Sequence, residues 1–227
     1  ITKLWNAAKF TFTHLEDFKE KPKKLEAFDR WILSKLNTLV KECTENFEMY
    51  EYSKVKAETE KFFWITFCDF YLEIVKDRLY NPNQRGKEAR ASAQYTLSTV
   101  FLTVLKLFAP IMPYITEEIY QQYYAKKEKQ KSIHLSSWPE YRSSTQDKMG
   151  EEIGDYFVEI ISGVRKAKSL KSLSLKEPVQ LLILPPMNSS KSLDSSFQAN
   201  VQVFMEDLKA VTKAENIQFG KKMEINI

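Results

Sequence analysis

The sequence predicts a mainly α protein, a helical bundle followed by a small α/β domain, and three observations carry that expectation. Apolar residues recur at helical spacing through most of residues 1–145. Glycine is scarce, with 5 in 227 residues, where an average usage of ~7% would supply about three times as many. Beyond a polar, Ser-rich stretch from Tyr141 to Asp147 the pattern changes, and helical periodicity alternates with short apolar runs of strand length. The domain boundary is therefore placed near residue 145, giving a bundle over 1–145 and two helices on a short sheet over 146–227.

Leu4, Ala8 and Leu15 space a first helix, and Asp17 to Lys24 is a charged, Pro-containing connector. A second helix runs from near Ala27 to Phe47, with Trp31, Leu36, Leu39, Cys43 and Phe47 among its inward positions. The third begins at Ser53 and extends to about Leu79. It is apolar on more than one side across Phe62 to Val75, as suits the spine of a bundle, and Asn81-Pro82-Asn83 stops it. A fourth helix spans about Lys87 to Phe108. After the turn Ala109-Pro110-Ile111-Met112-Pro113, a fifth starts on Pro113 and ends near Tyr124.

In the second unit, Ile153, Phe157, Ile160, Val164 and Ala167 align one face of a helix over 147–170. Val179 to Leu184 reads as a strand closed by Pro185-Pro186. A further helix over about 194–212 precedes Ile217 with Phe219 and Met223 with Ile225 and Ile227, which alternate around Gly220 as a closing hairpin.

Composition excludes several classes of function. Nucleotide-cradling loops need glycine for positive φ and close backbone approach, and neither GxGxxG nor GxxxxGK[ST] occurs. With His14 and His134 the only histidines, and Cys43 and Cys68 far apart in apolar helix sequence, reduced core thiols are expected and a zinc site is not. No apolar run reaches the ~18 residues of a membrane span, so the chain is expected to be cytoplasmic. A start at Ile1 rather than Met predicts a piece of a longer protein. The net charge of +4 permits an anionic partner without requiring one.

No catalytic constellation is found, and neither a cofactor nor a metal is expected within the chain. Binding chemistry concentrates in the first helix, where Lys3, Asn6, Lys9 and Phe10 lie away from Leu4 and Ala8 and combine cations, an amide and a ring. That mixture suits single-stranded RNA, which is held by phosphate neutralisation, base-edge hydrogen bonds and stacking. Phe18 is a second candidate stacking surface. Arg30 is expected to pair with Asp69 or Glu73 or to touch a backbone. Arg165 and Lys168 open a run to Lys176 holding five basic side chains and no acid, readable as phosphate contacts or as cations matched to a helix C-terminus. Trp31, Trp64, Phe67 and Tyr71 are expected to be mainly packing residues.

Ordered motifs then carry a resemblance. Lys3-Leu4-Trp5-Asn6-Ala7-Ala8-Lys9-Phe10, Asp29 through Leu36, Phe62-Phe63-Trp64 through Cys68-Asp69-Phe70-Tyr71-Leu72-Glu73, Ala109 through Ile119, and Ser132-Ile133-His134-Leu135 with Trp138-Pro139 resemble the C-terminal anticodon-binding region of class I valyl-tRNA synthetases. The segment Lys168 to Pro178, with Leu173-Ser174-Leu175-Lys176-Glu177-Pro178, resembles the following small domain in valine enzymes of the archaeal type. The isoleucine and leucine enzymes share the bundle, and the stretch Phe67 to Glu73 favours valine among the three.

The resemblance implies partners: the anticodon stem and loop of a valine tRNA, and a catalytic domain on the same polypeptide that uses ATP and Mg to ligate valine to its tRNA. The HIGH and KMSKS signatures of that chemistry are absent here, as is the editing domain. Under this reading Lys3 and Lys9 lie near phosphates, Asn6 at a base edge, and Phe10 or Phe18 under a base. A stand-alone RNA-binding module and a helical protein-interaction scaffold are the alternatives of another class.

Overall fold

The computed structural model describes residues 1–19, 21–187 and 200–227. Helix α1 (Thr2–Leu15) turns Leu4, Ala7, Ala8, Thr11, His14 and Leu15 inward, positions that share one face at about 100° per residue. Helix α2 (Ala27–Glu48) buries Phe28, Trp31, Ile32, Leu36, Leu39 and Cys43. Helix α3 (Tyr52–Lys61) runs without interruption into a π-helical stretch, Phe62–Tyr71, and on into α4 (Leu72–Tyr80).

The spine is thus not uniformly α, as the sequence predicts, but widened where its aromatic residues are densest. There the ladder bonds reach five residues back, and Leu72 N–H donates to the Phe67 carbonyl. Phe63, Phe67 and Tyr71 stack with 6.1 Å between successive ring centroids, and Phe67 lies 6.3 Å from Phe101. More residues per turn means less rotation per residue, which carries Trp64 further round from this ladder than α geometry would. Trp64 and Ile65 are each 48% exposed. Trp64 is therefore a surface residue, against the expectation that it packs in the core.

A single turn, α5 (Pro82–Arg85), and Gly86 at φ 88° lead into α6 (Lys87–Phe108). Leu97, Val100, Phe101, Val104 and Leu105 of α6 are fully buried at the centre of the bundle. Helix α7 (Pro113–Glu128) extends a turn beyond the expected end at Tyr124, because Glu128 is anchored by Lys106 at 2.7 Å and by the Tyr120 hydroxyl at 2.9 Å.

Helix α8 (Lys148–Leu170) starts on Asp147, whose side chain accepts from Gly150 N–H at 2.8 Å. It lies along α2 in close contact: a Cβ at Gly154 would collide with the Trp31 ring. Trp31 Nε1 donates to Asp155 at 2.9 Å, Lys35 reaches the same carboxylate at 2.8 Å, and Ser34 donates to Glu151 at 2.5 Å. The α2 stretch from Trp31 to Lys35 thereby forms the wall that the bundle and the second unit share.

Among the described residues, strand β1 (Val179–Leu184) is central in a three-stranded sheet. Strand β2 (Ala214–Phe219) pairs with it in parallel, Val179 opposite Ala214, after a crossover that includes α9 (Met205–Thr212). Strand β3 (Glu224–Asn226) pairs with its other edge antiparallel, Leu182 opposite Ile225. The expected hairpin about Gly220 is therefore not formed. With Val179, Leu182 and Leu184 fully buried, β1 takes the centre, and the more polar β2 and β3 flank it as edges. Of the helix expected over 194–212, the part before residue 200 lies outside the described residues.

Candidate nucleic-acid interface

The exposed face of α1 follows from its buried one. Lys3, Asn6 and Lys9 are exposed and Phe10 is half-buried at the edge between the faces. Lys3 Nζ lies 3.1 Å from Asp69 Oδ1 and 5.7 Å from the centroid of the Trp64 ring. On the other side of Asp69, Arg165 Nη1 donates to its backbone carbonyl at 2.7 Å, with the guanidinium 5.2 Å from the Phe70 ring. One residue of the π-helical stretch thus gathers a cation from α1 and a cation from α8. Burial lowers the pKa of Arg165, against the pull of Glu73 and Asp69. A partly desolvated guanidinium with donors to spare is well suited to a phosphate oxygen.

Phe10 packs edge-on against His14 at 4.6 Å, and His14 in turn meets Tyr80 at 4.7 Å. The ring row Phe10–His14–Tyr80 thus leads from α1 to the end of α4, and Tyr80 is 62% exposed.

The other candidates lie elsewhere. Phe18 follows α1 at its far end, about 20 Å from Lys3 by helix rise, and sits half-buried with Lys127 Nζ 5.4 Å over its ring. Arg30 meets neither Asp69 nor Glu73: its Nη1 donates to the Leu25 carbonyl at 2.8 Å, and its Nε lies 3.7 Å from Asp147. It is the sequence-distant Arg165 that reaches Asp69.

Lys168 requires a correction. It is 1% exposed, and its ammonium donates to the carbonyls of Leu175 at 3.1 Å, Glu177 at 2.6 Å and Thr212 at 2.9 Å. An ammonium carries three donors, so none is left for a phosphate. Lys168 closes the chain between α8, the following loop and α9.

A buried ionic cluster went unseen in the sequence. Asp29 accepts from Arg78 at 2.7 and 2.9 Å, from Tyr71 Oη at 2.6 Å and from Ser92 Oγ. Arg78 Nε lies 3.2 Å from Asp207, which also takes Arg85 at 2.7 Å. Burial opposes the charge on Arg78, yet Asp207 and Asp29 outweigh it and hold the guanidinium above its ordinary pKa. For Asp207, burial outweighs its two arginines and raises the pKa. The signal was available: Arg78 falls on the Ile74, Val75, Leu79 stripe and Asp29 on the Phe28, Ile32, Leu33 stripe, and charges on buried stripes need partners.

Residues 29–183 match the family described as the anticodon-binding domain of tRNA ligase. The whole chain is 40% identical to a valine--tRNA ligase of Rickettsia conorii (strain ATCC VR-613 / Malish 7), covering 28% of that protein. A valine--tRNA ligase of Rickettsia felis is 39% identical over the whole chain, with 26% of it covered. One of Wolbachia pipientis wMel is 38% identical over 96% of the chain, with 24% covered. The chain spans about a quarter of the length of these relatives. All three come from bacteria, so they do not support the archaeal type suggested by Lys168 to Pro178.

Proposed function

Because the chain belongs to the family of anticodon-binding domains of tRNA ligases, we propose that it is the tRNA-reading part of a cytoplasmic valine--tRNA ligase, which holds the anticodon stem and loop of a valine tRNA. The observation that carries this reading is the surface around Asp69, where Lys3 and Arg165 meet beside the exposed Trp64 ring. Asn6 and Lys9 extend the same face of α1. Cations for phosphates, an amide for a base edge and an exposed ring for stacking are what single-stranded RNA requires.

In the whole enzyme, anchoring the anticodon arm would orient the acceptor end of the tRNA toward activated valine. The HIGH and KMSKS signatures are not in this sequence, so ATP and Mg are assigned to the catalytic part of the polypeptide. Valine, rather than isoleucine or leucine, is supported by the relatives above. The finer assignment to the archaeal type rests on Lys168 to Pro178 alone. The change of element type near residue 145 supports a division into a bundle, 1–145, and an α/β unit, 146–227.

Filter binding with valine tRNA, the same tRNA with an altered anticodon, and an unrelated tRNA across a salt series tests the proposal. Tighter binding of the first is expected, with discrimination reduced by Asn6→Ala and the salt slope reduced by Lys3→Ala. Equal affinity for all three RNAs at every salt concentration would refute anticodon reading.

A further inference from the structure

Where α4, α8 and α9 converge, a cleft of about 290 Å³ opens beside the Asp69 surface. Its walls carry Lys76, Tyr80, Arg165, Lys176 and Lys213, and Ile161, Val164 and Val211 contribute apolar lining. Lys213 stands at the end of α9 in the left-handed conformation, φ 60°. Its side chain therefore departs where the helix has already stopped.

The two acids of the cleft are already matched. Glu73 takes Lys76 at 2.5 Å, and Asp77 accepts from Asn81 and from Arg85, each at 2.8 Å. Among the described residues, Arg165 is hydrogen-bonded only through Nη1, to a neutral carbonyl. Lys176 and Lys213, both exposed, have no ion-pair partner among the described residues. Three cations from α8, its following loop and the end of α9 thus surround a space at the small end of the range of ligand clefts. Tyr80, at the rim, offers an exposed ring connected through His14 to Phe10 on the α1 face.

We infer that this cleft is a second RNA subsite, binding one nucleotide next to those met by α1, with Arg165, Lys176 and Lys213 on the phosphate and Tyr80 against the base. The α/β unit then belongs to the RNA-binding surface rather than serving only to brace the bundle. The inference rests on the tRNA reading above and extends it to α4, α8 and α9. Phosphate-directed cations converging beside an unstacked aromatic ring are recognised by single-stranded nucleic acid, because each nucleotide offers both a charge and a π face.

The test is filter binding of valine tRNA to the protein and to Lys176→Ala/Lys213→Ala, Tyr80→Ala and Tyr80→Phe variants, over a salt series, with circular dichroism confirming that each exposed substitution leaves the fold intact. The double lysine variant is expected to bind several-fold more weakly at low salt, with a salt slope shallower by about 0.7 per lost contact. Tyr80→Ala should weaken binding about tenfold with the slope unchanged, and Tyr80→Phe should restore it. Wild-type affinity and slope in all variants, while the parent still discriminates valine tRNA, would overturn the subsite and leave the tRNA reading standing. A parent protein that binds no tRNA would overturn both.

Discussion

Arg78 is clamped by Asp29 through two hydrogen bonds, 2.7 and 2.9 Å, with neither side chain exposed to solvent. Asp29 comes from α2, Arg78 from α4, and Asp207, 3.2 Å from the guanidinium's Nε, from α9. The pair therefore fixes the separation of two bundle helices and docks the α/β unit on them. Its net contribution is smaller than its geometry suggests, since both ions lose their hydration, but removal of one partner strands a buried charge.

Arg78→Met should accordingly cost about 3–5 kcal/mol in urea unfolding. Adding Asp29→Asn to it should cost far less than the sum of the two single changes, because Asp207 keeps Arg85 and the stranded carboxylate is gone. Strict additivity in the double-mutant cycle would show that the two residues act independently.

Lys168→Met keeps the apolar stem and removes three hydrogen bonds to backbone carbonyls, one of them fully buried. A loss of about 2–4 kcal/mol is expected, with hydrogen exchange accelerated first around Leu175 and Thr212, whose carbonyls lose their donor. If Lys168 instead served RNA, the variant would keep its stability and lose tRNA affinity.

His14 is buried, and its pKa lies below the ordinary 6.5, chiefly through burial and secondarily through Arg90, with Asp17 opposing. The unfolded chain therefore binds more protons than the folded one below pH 6.5, so this contribution to stability rises with pH. Destabilisation should set in as pH falls through 6.5 and continue down to the depressed folded value. His14→Gln should flatten that limb in thermal unfolding across pH 5–7, and an unchanged limb would assign the effect to other groups.

Helix positions were largely legible because a 3.6-residue apolar period reports which face is buried without reference to the partner. The fourth helix, Lys87 to Phe108, and the strand Val179 to Leu184 lie where the periodicity put them. What failed were inferences that needed an element's neighbours. Trp64 looked like core because its surroundings are apolar, and only the π-helical winding turns it to solvent. The hairpin expected about Gly220 does not form, because Ile217–Phe219 and Met223–Ile227, though adjacent in sequence, each pair with the more apolar β1 instead of with one another. Among the site candidates, Lys3, Asn6 and Lys9 could be placed on one exposed face from α1 alone. Lys168 and Arg165 sit three residues apart, and only the surrounding carbonyls distinguish a buried brace from a half-free cation.

The amino-acid order of this protein by itself determined its mainly helical class, the polar face of α1 and, through its ordered motifs, its family, since each is recorded in local spacing. The tertiary structure alone decided that Asp69 joins Lys3 to Arg165, 96 residues along the chain from Asp69, and that Asp29, Arg78 and Asp207 share one buried site. The physical reason is that a charge's fate depends on what desolvates it and what pairs with it, and those partners come from helices that meet only when the chain has folded.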